Sequence, residues 1–251
     1  MRRPARFLVP VLVVLAACSS IPDMPSQMPS LHAMLPTPFS IATALDGIPG
    51  GWHVYKLLRF KPLTQYSLVE DGGAQVVRAQ ANSSVSGIRH QVSVDLHQYP
   101  IAAWRWKVPK LIEGADNTVP AVADAPARVI FTFEGGRDKL PGFEQLNYDL
   151  ARALTGNEMP YATLMYIWEP DRPIGEIITH HNTTRVKMII AANSQRELNR
   201  WYTERVNVLE DYRRAFHEDP PRVKSVGIMS DSDNTGTSVV AYFGDISFSA
   251  E

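Results

Sequence analysis

The run from Met229 to Gly236 places Asp231, Asp233 and Asn234 within four residues of one another. Oxygen donors at alternate positions are what a calcium ion asks for, so Asp231 and Asp233 are candidate metal ligands and Ca2+ is the cofactor they would take. The helix–loop–helix calcium pattern fails beyond this start: the fifth position is Thr235, and the twelfth, where a bidentate Glu belongs, is Tyr242. The same residues also suit a plain hairpin turn, because Asn-Thr-Gly turns without metal. Asp245 reaches this region if the last strand folds back. Glu204, Asp211, Asp231, Asp233 and Asp245 are the carboxylates available for acid–base work, which in glycoside cleavage needs two of them facing across a bond. His180 and His181 are adjacent and would point to opposite faces of a strand, which suits no shared metal. There is no Gly-rich phosphate loop, no nucleophile elbow and no His-Glu-x-x-His.

A second chemistry comes from strand alternation. In 101–108, Trp104 and Trp106 share one face and Arg105 lies on the other. In 127–134, Val129, Phe131 and Phe133 share the apolar face, opposite Arg128. Strands with one apolar face and an Arg on the other could present forked donors to an acidic or hydroxyl-rich ligand. They also fit an ordinary solvated outer face. Trp104 and Trp106 read as core. Trp168 precedes Glu169 and Pro170 at a strand end where loops begin, which makes it the better candidate to stack on a sugar ring. Arg105, Arg128, Trp168 and Glu204 are therefore the candidate ligand-binding residues.

The elements that must position these residues are mostly strands. Short apolar, β-branched and aromatic runs recur at 52–58, 65–70, 75–82, 87–95, 102–108, 127–134, 163–168, 185–192, 222–230 and 238–248, separated by Gly, Pro, Asp and Asn. They predict an all-β fold, an antiparallel β-sandwich of jelly-roll-like kind. Helix is sparse: Leu146, Leu150 and Leu154 mark one over 144–154, and 209–216 reads as a second, stopped before Pro220 and Pro221. Two long irregular stretches, 109–126 and 135–145, are loops long enough to carry function.

The N-terminus reads as an address. Arg2, Arg3 and Arg6 precede an apolar run from Phe7 to Ala17, too short to span a bilayer. Leu15, Ala16, Ala17 and Cys18 then match a lipobox, which predicts cleavage after residue 17 and lipid on Cys18. A plain secretory signal is the alternative. Ser19 after the Cys points to the outer membrane in a Gram-negative cell. Residues 18–50 read as a lipidated Cys and a Pro-rich tether, with Pro22, Pro25, Pro29, Pro36 and Pro38, and 51–251 as one sandwich domain. The expected place is the cell envelope, on the extracytoplasmic side.

Composition limits the rest. At 45% hydrophobic and 20% charged, 251 residues can bury a core. Cys18 is the only cysteine, so packing alone must hold the fold, and a cysteine nucleophile is excluded. Removing the three leader arginines leaves 22 basic against 26 acidic residues, a net charge of −4 that argues against nucleic acid.

Residues 83–88, Trp104 to Trp106, 127–133, Leu146 to Tyr148, Asp211 to Phe216, 229–236 and Gly244 to Ile246 together resemble a family of exported bacterial proteins known only as a domain of unknown function. That resemblance implies no activity. The family pattern continues Leu-Asn-Tyr with an apolar or aromatic pair, where Asp149 and Leu150 stand here. The ending 226–248 is similar to the last strands of galactose-binding-type jelly rolls, which implies a two-sheet sandwich and, by analogy, carbohydrate binding. The expected function is an envelope module binding a glycan or another envelope component. The alternatives are a glycan-cleaving enzyme using Glu204, Asp231 or Asp233, and an assembly lipoprotein contacting a protein, which an exposed apolar patch would favour.

Overall fold

The computed structural model describes residues 35–58, 60–156 and 158–251; the expected leader, Cys18 and the chain through residue 34 lie outside them. In chain order the strands are β1 (Ala44–Leu45), β2 (Ile48–Pro49), β3 (His53–Tyr55), β4 (Gln65–Asp71), β5 (Ala74–Asn82), β6 (Val85–Val94), β7 (Ile101–Lys107), β8 (Arg128–Phe133), β9 (Ala162–Trp168), β10 (Ile177–Thr179), β11 (Val186–Ala192), β12 (Tyr202–Asn207), β13 (Val223–Asp231) and β14 (Ser238–Ser249). Two helices join them, α1 (Gly142–Thr155) and α2 (Val208–Phe216).

Seven strands pair in the order β10-β11-β9-β8-β13-β6-β3, and five in the order β12-β7-β14-β5-β4; β1 and β2 form a separate ribbon. The pairings are antiparallel except β9 with β11, which run parallel. This is the expected antiparallel β-sandwich with two short helices, and the parallel pair is its one departure. Alternation places Ala102, Trp104 and Trp106 of β7, Val129, Phe131 and Phe133 of β8, and Leu164, Tyr166 and Trp168 of β9 in one buried cluster between the sheets. Trp104 packs on Tyr166 at 5.1 Å and Trp106 on Trp168 at 5.6 Å between ring centroids. Burying each such ring contributes about 2–3 kcal/mol. α2 closes one end of this core. Tyr212 lies 4.4 Å from Phe133, and Asp211 accepts from the Tyr166 hydroxyl at 2.7 Å. Asn207 caps the helix by accepting from the Glu210 amide.

Residues 35–50, read from their prolines as part of the tether, pack onto the sandwich. Phe39 is buried against Trp52, and Gln75 donates to the Phe39 and Ala42 carbonyls. Asp245 accepts from the Ser40 amide and hydroxyl, so it pins this segment and does not turn toward the Asp231 loop. A single aromatic anchor among prolines suffices to fix an otherwise extended stretch.

Candidate functional site

The outward face of the five-stranded sheet is assembled by register. β12 pairs with β7 so that Thr203 opposes Arg105, and β14 pairs with β7 so that Tyr242 opposes Lys107. Tyr242 also opposes Arg78 of β5, and Arg78 opposes Ser67 of β4. Trp201, just before β12, extends this row at its other end. The row therefore reads Trp201, Lys107, Tyr242, Arg78, Ser67: one residue from each of four strands and the residue just ahead of the fifth. Gln80 and Gln65 pair one step further along.

The Arg105 guanidinium lies 4.6 Å from the Trp201 ring centroid and crosses Gly244, where a Cβ would collide with the Arg105 side chain. The Trp201 indole is fixed from a second side. It donates to Asp71 at 2.9 Å and covers Gly72, where a Cβ would sit 2.7 Å from Nε1. Gly72 and Gly73 make the two-residue turn between β4 and β5, both with positive φ. Lys107 pairs with Asp71 at 2.6 Å and lies 4.3 Å from the Tyr242 centroid, and its ammonium holds the Asp71 carboxyl below the usual range. Trp201 and Tyr242 meet edge to face at 6.5 Å. The result is a half-exposed aromatic platform stacked on cations. Arg105 was named from the sequence; Trp201 was not. Its signal was its place one residue ahead of a strand that sequence reading missed.

The second place is the end of the sandwich, where residues 109–126, 169–176 and 231–237 gather. Asp124, Asp231 and Asp233 bring carboxylate oxygens within 4.8 Å of one another. Among them Arg128 donates to both Asp231 oxygens, at 2.7 and 2.8 Å, and to Asn117 and the Ala123 carbonyl. Asp124 accepts from the amides and side chains of Asn234 and Thr235. Lys61 pairs with Asp233 at 3.0 Å, leaving Asp233 Oδ1 buried without a partner among the described residues. Calcium wants six to eight oxygens, and here the guanidinium already supplies the positive charge. The loop carboxylates converge as the sequence implied, together with Asp124, which the sequence reading did not name.

Three sequence-chosen ligand residues are corrected. Arg128 is 3% exposed, because residues 115–125 fold over the sheet face that alternation left open. Trp168 is fully buried, sharing the inward face of β9 with Leu164 and Tyr166; period two outweighs its place at a strand end. Glu204 faces inward from β12, where Trp106 donates to it at 3.0 Å and Arg196 pairs with it. Glu204 thus stands apart from the Asp231 and Asp233 group, and that converging pair is taken up by Arg128 and Lys61.

Next to the loop cluster is a cleft of about 300 Å3 lined by Asp116, Glu169, Asp171 and Arg172. Thr118 and Arg172 hold the Asp116 carboxyl down at about 2, while burial pushes Glu169 up from its ordinary value. Opposed shifts are the pattern of an acid and a base. Here the groups serve as a lock: both Glu169 oxygens accept from Asn117, and Arg172 is shared by Asp116, Glu176 and Thr118. A raised folded pKa means Glu169 favours folding when protonated, and that contribution is lost as pH climbs through the folded value. Glu169→Gln should therefore gain on the wild type in urea midpoint as pH rises from below the ordinary carboxylate range through the folded value, on top of a fixed loss from the Asn117 donor that an amide leaves unaccepted. A constant offset across that range would disprove the assignment.

No sequence among curated proteins matches the chain. Solved structures resemble it in outline. The K2 cleaved adhesin domain of Lys-gingipain is 11% identical, with 84% of this chain and 96% of that chain covered and a TM-score of 0.39. The xyloglucanase domain of NopAA, a type three effector from Sinorhizobium fredii, in complex with cellobiose, is 8% identical over 83% and 96%, with a TM-score of 0.42. CBM28, a carbohydrate-binding module specific for non-crystalline cellulose, is 10% identical over 86% and 96%, with a TM-score of 0.38. The family-level match is of another order: a model of proteins of unknown function covers residues 50–247, the whole sandwich from β3 into β14, and the chain belongs to that family, DUF3047.

Proposed function

We propose that the protein is a lipid-anchored module of the cell envelope that binds a glycan bearing acidic groups on the outward face of its five-stranded sheet. The observation that carries this is the stack of Gly244, Arg105 and Trp201 beside Lys107 and Tyr242. Sugar rings offer flat C–H faces to Trp and Tyr, and guanidinium offers forked donors to carboxylates or sulfates. Arg78, Arg105, Lys107 and Arg205 are placed outward by register, against one carboxylate, Asp71, in a mature chain that is acidic overall. The row runs from Trp201, just ahead of β12, across β7, β14, β5 and β4, an extent that suits a polymer rather than a free monosaccharide. Anchoring rests on the leader and Cys18.

The test is an array of neutral and acidic polysaccharides probed with the mature chain, with and without calcium. Saturable binding to an acidic polymer, weakening as salt rises, is the expected result. Binding only to neutral polymers removes the acidic specificity, and a blank array removes the reading. Mass spectrometry of the protein from membranes tests the anchor: the mature chain should begin at an acylated Cys18.

A further inference from the structure

The outermost surface of α1 is apolar where a helix of a soluble domain is normally polar. Phe143, Leu146, Leu150 and Leu154 recur at spacings of three, four and four, so they share one stripe. They are 60%, 70%, 58% and 60% exposed. The opposite side of the helix holds it down, and does so with polar groups. Glu144 is buried, accepting from the Thr183 hydroxyl and from the amide and hydroxyl of Thr184, while Asn147 donates to the Asn182 carbonyl. Tyr148 is buried beside them. An amphipathic helix packed by its polar side is inverted relative to the usual core-facing arrangement. Pro141 at its start and Gly156, left-handed at its end, bound it sharply. Asp149 on the stripe's flank is neutralised by Arg137, which donates to it at 2.7 and 2.6 Å.

We infer that this stripe of α1 enters the interfacial layer of the phospholipid surface that carries the anchor. The inference rests on the anchored part of the proposed function. Sixteen residues lie between Cys18 and Leu35, the first residue described, a span of at most about 60 Å when extended. The bilayer is therefore within reach of any side of a sandwich of this size. A stripe of four such side chains amounts to a few hundred Å2, about half or less of the ~800 Å2 that each partner of a stable complex buries. A single helix with an apolar crest and charged flanks fits the headgroup boundary without needing that area. The lipid chain supplies the first membrane contact, and the stripe supplies a second and sets which side of the sandwich faces away.

The experiment uses the acylated full-length mature protein carrying Leu150→Cys, its only free thiol, labelled with a polarity-sensitive fluorophore. It is reconstituted on phosphatidylethanolamine–phosphatidylglycerol vesicles. The expected result is a blue-shifted label, quenched by a lipid-borne quencher and about threefold less accessible to aqueous iodide than in detergent-free solution. Introducing Leu146→Ser and Leu154→Ser should restore iodide access while the protein stays on the vesicles. A vesicle-bound protein whose label remains open to iodide overturns the inference and leaves the anchor standing. A mature chain recovered from cell membranes without lipid on Cys18 overturns the anchored reading and this inference with it. A label shielded only as protein concentration rises, without lipid, assigns the stripe to a second copy, and one shielded only by an added envelope protein assigns it to a protein partner; either overturns the inference.

Discussion

Replacing Arg128 by Met is expected to cost about 3–5 kcal/mol of stability, the largest effect of any single change outside the aromatic core. Arg128 and Asp231 side chains are 4% and 5% exposed, so removing the cation strands a carboxylate away from water. Asp124 and Asp233 lie beside it, and their repulsion is then uncompensated. Asn117 Oδ1 and the Ala123 carbonyl lose their donor as well. Burial already pushes the Asp231 carboxyl up against the pull of Arg128, so the pair is costly to hold and more costly to break. Arg128→Lys should rescue little, because a point charge cannot serve Asp231 with two parallel bonds and reach Asn117 too. Removing both charges, as Arg128→Met with Asp231→Leu, should recover at least half the loss. Calcium supplies the separate control. It should raise the urea midpoint of Arg128→Met, where Asp231 is freed beside Asp124 and Asp233, and leave the wild type unmoved. A wild-type midpoint that rises with calcium would restore the loop as a metal centre, and an Arg128→Met loss under about 1 kcal/mol would make the network ornamental.

How much of this was legible in the sequence follows from what each residue depends on. All ten strands read from periodicity are present, because their alternation is written in the residues that fill the core, such as Val129, Phe131 and Phe133. Both helices extend one or two residues beyond their predicted starts. The strands that went unread, β1, β2, β10 and β12, are short or polar. β12 carries Thr203, Glu204 and Arg205 on an edge, and its inward Glu204 hides the alternation because a carboxylate stands where an apolar residue is expected. Missing β12 also hid Trp201, whose role depends on being carried beside Arg105. Arg128 shows the limit from the other side. Alternation correctly placed it opposite Val129 and Phe131, but whether that face meets water depended on where residues 115–125 travel. Asp124 had the same difficulty: it lies 107 residues before Asp231, and only the fold brings the two together. The exposed stripe of α1 was half legible. Leu146, Leu150 and Leu154 announced a helix, and the sequence could not say that Glu144 and Tyr148 would be the buried side.

Trp201→Ala is expected to lower affinity for an acidic polysaccharide by about tenfold or more, the range in which a central aromatic anchor usually falls. Trp201 is half-buried at the surface, so the fold should lose only about 1–2 kcal/mol and remain intact. Lost binding then reports the platform rather than unfolding. The cation beneath the ring separates two contributions. Arg105→Gln removes the charge and keeps a planar group over Gly244, so affinity should fall at low salt and converge on the wild type at high salt. Trp201→Ala removes the stacking surface and should bind poorly at every salt concentration. Gly244→Ala leaves both side chains in the sequence but drives Arg105 from its seat across the strand, since the new Cβ collides with the Arg105 side chain. It should therefore resemble the Arg105 variant in salt dependence while also loosening the indole, and fall between the other two. That ordering is specific to a stacked cation–aromatic platform. If all three variants bind as the wild type does, the outward face of the sheet is solvated surface, and the ligand must be sought elsewhere on the sandwich. If all three fail equally at every salt, Arg105 serves to hold the indole rather than to meet charge on the ligand, and the ligand is a neutral glycan.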